Sequence, residues 1–188
     1  MPDPRILIAC IGNIFLGDDA FGVEVARQLS RLALPDACQV VDYGIRSFDL
    51  AMALLGEYDI VIMVDAAPRG EAPGTLFVIE PNLPQSSAGA MVLPAPVAIE
   101  THGMGPEKVL SLAASMGGVL PRVLLVGCEP SPLLDESDIL AGLSPPVRAA
   151  VDEAIVVIGL LVQRLLAEWA LEQEPGPPAS DSPGSTTN

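Results

Sequence analysis

Three short stretches hold the side chains with chemistry to offer. The first is Gly12-Asn13-Ile14-Phe15-Leu16-Gly17-Asp18-Asp19-Ala20-Phe21-Gly22: a glycine turn, two adjacent carboxylates, then the start of an amphipathic segment. Aspartate is a favoured N-cap, and acids suit the positive end of a helix. Only one of the pair can be that cap, which leaves the other open to a different use. The second is Asp65, which closes the apolar run Asp59-Ile60-Val61-Ile62-Met63-Val64. An ionised carboxylate there must be hydrogen-bonded, paired or metal-bound, because unpaired burial is very costly. Capping the turn Ala66-Ala67-Pro68 is the plainer alternative. The third is His102, the sole histidine, in Thr101-His102-Gly103-Met104-Gly105-Pro106. A lone loop histidine is often structural, yet imidazole is also the commonest metal ligand. Asp19, Asp65 and His102 together would form a two-carboxylate, one-imidazole set. Nickel, zinc, iron or manganese would accept it, and ligand type alone does not choose among them.

Other chemistries fit poorly. A dinucleotide fingerprint needs glycines where Cys10 and Phe15 stand. No Gly-Lys-Ser/Thr phosphate loop and no Gly-x-Ser-x-Gly elbow occur. Cys10 sits inside an apolar run and reads as core. Cys128 ends another run and could approach His102, a weak case for a Cys–His dyad. Glu129 reads as an acid that could support a site from behind. With one histidine, any mechanism needing two or three imidazoles from one chain is excluded.

The elements that must position these residues alternate. Residues 5–11, 59–65 and 122–127 are continuous apolar runs, as strands buried on both faces would be. Residues 39–41 form a short strand ending at Asp42. Residues 20–32, 49–55, 106–116 and 146–171 have helical spacing, and Pro106 suits a first helical turn. Residues 75–79 follow only a turn, too short for a crossover helix, so that strand is expected to be antiparallel to its neighbour. The order predicts an α/β fold: a three-layer αβα sandwich whose twisted sheet is mostly parallel with one antiparallel strand. Such sheets place sites at the carboxyl ends of strands, which here are Gly12-Asn13, Asp42-Tyr43-Gly44, Asp65-Ala66-Ala67 and Gly127-Cys128-Glu129.

Composition sets the frame. The chain has 188 residues, half of them hydrophobic, which is enough for one domain with a real core. We expect that domain over residues 1–172 and a disordered acidic Pro/Ser/Gly tail over 173–188. A stretch rich in Pro, Ala and Ser between Pro81 and Glu100 is expected to be a lid or docking loop, or simply a mobile one. Nine basic against 24 acidic residues give a net charge of −15, which repels nucleic acid and anionic lipid. The strongest membrane-like segment, residues 154–162, is too short, since a span needs about 20 apolar residues. The start of the chain lacks a signal-peptide cleavage region. The expectation is a cytoplasmic protein with reduced thiols.

Taken together, these pieces resemble the hydrogenase maturation endopeptidases. The resemblance runs from about residue 5 to 172 and rests on order and spacing. Its parts are the 12–22 stretch, Asp42-Tyr43-Gly44, Phe48-Asp49-Leu50, Asp65-Ala66, Pro73-Gly74-Thr75, His102-Gly103-Met104 and Val126-Gly127-Cys128-Glu129-Pro130. It implies a twisted sheet between helices. It implies an endopeptidase that removes a C-terminal peptide from a nickel-loaded [NiFe]-hydrogenase large-subunit precursor, with nickel supplied by that substrate. By the same resemblance Asp19, Asp65 and His102 are the catalytic and nickel-contacting residues. Asp42, Tyr43, Gly44 and Arg46 would seat the substrate chain, and the protein would act as a monomer. This chain has Cys10 where relatives often have glycine, and Asp42-Tyr43-Gly44 where the family has Asp-Gly-Gly. A non-cleaving metallochaperone or assembly scaffold for the same large subunit is the alternative.

Overall fold

The computed structural model of the chain describes residues 2–81, 105–117, 119–132 and 142–173. The apolar runs form the centre of one five-stranded sheet. Strand β1 (Ile6–Ile11) is buried at every position. Strands β3 (Ile60–Ala66) and β5 (Arg122–Cys128) are buried at all but one residue each. Strands β2 (Cys38–Gly44) and β4 (Leu76–Ile79) are partly exposed, as edge strands are. The order across the sheet is β2-β1-β3-β5-β4. β1 pairs in parallel with β2 and β3, and β3 with β5, while β4 runs antiparallel to β5. The expected mostly parallel sheet with one antiparallel strand is present.

One adjacency was not foreseen. β4 lies beside β5, not beside the β3 that precedes it. The link from β3 to β4 crosses the end of β5: Ala67 N–H donates to the Cys128 carbonyl (3.0 Å) and Gly74 N–H to the Glu129 carbonyl (2.8 Å). That leaves a slot between β3 and β4 which β5 later fills.

Among the described residues four helices cover the sheet: α1 (Phe21–Leu29), α2 (Ser47–Leu54), α3 (Pro106–Ser115) and α4 (Pro145–Glu172). Side chains alternate across β1 as the strand period of two requires. Ile6, Ile8 and Cys10 pack with α1 and α4, while Leu7, Ala9 and Ile11 pack with α2 and α3. Two helix layers therefore sandwich the sheet. Helix α4 buries Val147, Ala150, Val151, Ala154, Ile158, Leu161, Val162 and Leu165, a stripe at three- and four-residue spacing. The apolar stretch is longer than the nine residues read from sequence. By length and a mean hydropathy of 1.8, α4 alone among the described helices could cross a membrane. Its buried stripe instead forms the largest single contribution to one core layer.

The topology selects the position of a site. From β1 the chain passes through α1 on one face to β2 at the edge. It then returns through α2 on the other face to β3, on the far side of β1. The winding reverses between β1 and β3. Open α/β sheets bind ligands at that switch point, outside the carboxyl ends of the strands.

Candidate active site

The loop leaving β1 is held in one shape. Gly12 has φ of +148°, and a Cβ there would lie 2.0 Å from the Asp19 carbonyl oxygen. Only glycine allows this approach. Asn13 N–H donates to the same carbonyl (3.1 Å), and Asp19 N–H donates to the Leu16 carbonyl (3.1 Å). The Asn13 side-chain oxygen accepts from Phe15 N–H (3.0 Å), a local Asx turn. Residues 12–19 thus fold back on themselves, and Gly17–Ala20 close the loop as a 3-10 turn. Gly22 then lets α1 settle on the sheet, since a Cβ there would lie 2.1 Å from the Ile11 carbonyl oxygen and 2.5 Å from that of Val64.

Neither aspartate caps α1. The helix has Ala20 at its N-cap and no side-chain cap bond. Asp18 turns inward instead. It is 6% exposed, and its carboxylate accepts hydrogen bonds from Ser144 N–H (2.6 Å), the Ser144 hydroxyl (2.8 Å) and Ser131 N–H (2.8 Å). Both serines lie more than 110 residues away in sequence. Asp19, the next residue, is half-buried.

Asp65 stands at the end of β3, 5% exposed. Burial pushes its carboxyl up to about 8, from an ordinary 3.8. The charge of Asp19 pushes the same way, and a hydrogen bond from Ala66 N–H pulls against both. Asp19 and Asp65, 46 residues apart in sequence, therefore share one electrostatic environment across the β1/β3 switch point. Two carboxylates that repel each other while one is buried are what a cation would relieve. Among the described residues, no three His, Cys, Asp or Glu side chains are grouped to hold a metal ion. His102, the expected third member, lies outside the described residues.

The other expected residues are placed as follows. Asp42, Tyr43, Gly44 and Arg46 line one open groove of about 310 Å³ together with Gly12, Asn13, Ile14 and Phe15. The groove joins the ends of β1 and β2, which Gly12 N–H ties to the Gly44 carbonyl (3.1 Å). Apolar side chains stand exposed along its two lips, Ile14 and Phe15 on one and Ile45 on the other. Arg46 folds back on its own turn. Its guanidinium donates to the Asp42 and Tyr43 carbonyls, lies 5.8 Å from the Tyr43 ring centre and pairs with Asp49 at 3.6 Å.

Two nucleophile candidates fall away. Burial, then the charge of Asp42, push the Cys10 thiol far above its ordinary range. Burial, then the charges of Asp18 and Glu129, push Cys128 up to about 12. Neither forms a thiolate near neutrality. Glu129, which reads in sequence as an acid that could support a site from behind, holds a neighbouring loop. Its carboxylate accepts from Arg69 N–H (2.6 Å) and Gly70 N–H (3.2 Å). Burial pushes its pKa up, but these bonds and one from Glu71 N–H outweigh it and hold the group below its ordinary range. It fixes the loop that leaves Asp65. No local pattern signals this, because the donors lie 59 and 60 residues away.

Comparison with known proteins converges on one group. The HycI hydrogenase maturation protease family matches residues 23–159. The chain is 33% identical over 171 residues to the hydrogenase expression/formation protein HupD of Rhizobium leguminosarum, covering 90% of this chain and 78% of that one. It is 31% identical over 154 residues to the hydrogenase 2 maturation protease of Escherichia coli, covering 80% and 86%. The fold matches the hydrogenase maturating endopeptidase HybD of E. coli with a TM-score of 0.63 and 26% identity, over 85% of this chain and 93% of that one.

Proposed function

This chain belongs to the hydrogenase maturation protease family, and from that premise we propose that it removes a C-terminal peptide from a nickel-loaded [NiFe]-hydrogenase large-subunit precursor. The observation that carries this reading is the Asp19–Asp65 pair: a buried carboxylate with a raised pKa beside a second acid, at the switch point of the sheet. The pair suits a cation brought by the substrate. Asp65 and Asp19 would contact the nickel of the precursor, with His102 as the third group. A carboxylate that stays neutral until the cation arrives gives the protein a way to distinguish loaded from empty precursor. Once ionised, either carboxylate is able to accept a proton from an attacking water. The 12–15 and 42–46 segments would seat the chain to be cut, with the apolar lips against apolar side chains of the substrate. Arg46, already engaged with its own turn, would hold that lip in shape. The proposed setting is the cytoplasm, with the protein acting as a monomer. The three cysteines are free thiols, which suits a reducing compartment.

The test is the intact mass of a nickel-loaded and a nickel-free precursor after incubation with the protein. The expected result is loss of a short C-terminal peptide from the loaded precursor alone. Asp19→Ala, Asp65→Ala and His102→Ala should each abolish that loss while circular dichroism stays unchanged. Equal cutting of both precursors would refute the nickel dependence. A stable complex without cutting would replace the protease reading with the scaffold one.

A further inference from the structure

The adjacent carboxylates Asp18 and Asp19 are chemically alike, and the fold gives them different surroundings. In a 3-10 turn, consecutive side chains point about 120° apart. Once one is fixed, the direction of the next follows. Asp18 is fixed: it is 6% exposed and accepts three hydrogen bonds of 2.6–2.8 Å. The donors are the N-cap residue of α4 and the segment just after β5. The Ser131 hydroxyl also donates to the Ser144 hydroxyl oxygen (2.9 Å), joining the two donors to each other. The Asp19 backbone is held separately through Leu16 and Asn13. The turn is thus gripped on its inner side by a carboxylate and on its outer side by its own loop.

We propose that Asp18 is a positioning residue: by clamping the Gly17–Ala20 turn to Ser131 and Ser144 it sets the direction in which Asp19 meets Asp65. Asp18 itself touches no substrate. Its acceptors are taken by donors from two other elements, so the alignment of the site depends on how α4 begins. Asparagine has the shape of aspartate but offers one acceptor oxygen, and its amide would face donors. Asp18→Asn therefore loosens the clamp without emptying the space.

The cleavage part of the test rests on the proposed function, and the second part does not. In the full-length protein, Asp18→Asn is expected to lower kcat for the nickel-loaded precursor about 10–100-fold, the cost of a small misplacement of a reacting group. KM should stay within about threefold of wild type. The second measurement needs neither metal nor substrate. A double-mutant cycle between Asp19→Asn and Asp65→Asn, read by urea unfolding of metal-free protein at pH 9, measures the repulsion between the two acids. In the Asp18→Asn background that repulsion should fall by at least about half. If the repulsion is retained, the proposal is overturned, whatever happens to kcat. A kcat within about twofold of wild type in an active preparation also overturns it. If wild type cuts no precursor, the proposed function has failed, and the cycle alone decides the role of Asp18. If Asp18→Asn does not fold, Ser144→Ala removes only one donor. It should produce both effects in smaller measure, and no change in either would overturn the proposal.

Discussion

Replacing Asp65 by asparagine should stabilise the metal-free protein, and by an amount that depends on pH. The folded carboxyl titrates near 8 and the unfolded one near 3.8. Between these values the folded state holds a proton that the unfolded chain has released, so wild type loses stability as pH rises. The folded-state advantage is fully present below about 3.8, declines through the interval and levels off above about 8. Asparagine has no proton to exchange. The difference between variant and wild type should therefore grow by about 1.4 kcal/mol per pH unit, roughly 3 kcal/mol between pH 5 and pH 7. The slope is independent of any fixed loss or gain in hydrogen bonding, which shifts all pH values equally. Urea unfolding at pH 5, 6 and 7 with a chelator present, at constant m, measures it directly. Cys10 and Cys128 stay neutral throughout this range and do not contribute. A difference that is the same at all three pH values would refute the idea that Asp65 is buried as a neutral acid beside a second carboxylate. Under the proposed function the same variant should also fail to cut precursor, a trade of stability against activity.

Three further outcomes are expected. Gly22→Ala should lower stability by at least about 3 kcal/mol in chemical denaturation, because its Cβ would meet backbone rather than a movable side chain. Glu129→Gln should lower the thermal midpoint at neutral pH. Since the Glu129 pKa is depressed, its contribution is present above about 4.5 and is lost as pH falls through the folded value, so the two proteins should converge in acid. Of the three thiols, half-buried Cys38 should react first with a disulfide reagent at pH 8, with Cys10 and Cys128 released only on unfolding.

The layers of the fold were legible because they follow from local pattern. Residues 5–11 and 59–65 read as strands buried on both faces, and the structure places β1 and β3 side by side at the centre. Strand ends gave the candidate residues, and the charge of Asp19 is felt at Asp65. What stayed hidden is set by contacts distant in sequence. The place of β5 between β3 and β4 depends on how the 67–74 link spans the sheet. The division of labour between Asp18 and Asp19 depends on Ser131 and Ser144. The resemblance makes Arg46 a substrate-seating residue, and the contacts it makes with the carbonyls of its own turn and with Asp49 could not be read from the sequence. His102, all but the first residue of the 81–100 stretch, read as a lid, a docking loop or a plain mobile one, and all but the first residue of the tail fall outside the described residues.

A parallel sheet has two unlike rims, and this one uses them differently. At the amino rim, arginines meet acids: Arg5 pairs with Glu57 and donates its backbone N–H to Asp59, and Arg122 bridges Glu80 and Glu168. At the carboxyl rim stand Asp18, Asp19, Asp42, Asp65 and Glu129, where Asp18 and Glu129 are held by backbone N–H groups and a serine hydroxyl. The arginine-centred ion pairs of the amino rim thus lie a strand's length from the candidate site at the carboxyl rim. Sequence change in these amino-rim pairs can adjust how firmly the molecule holds together while the carboxyl rim keeps its arrangement. A lineage is then free to drift in stability, for a new temperature or a new host, without renegotiating its active site.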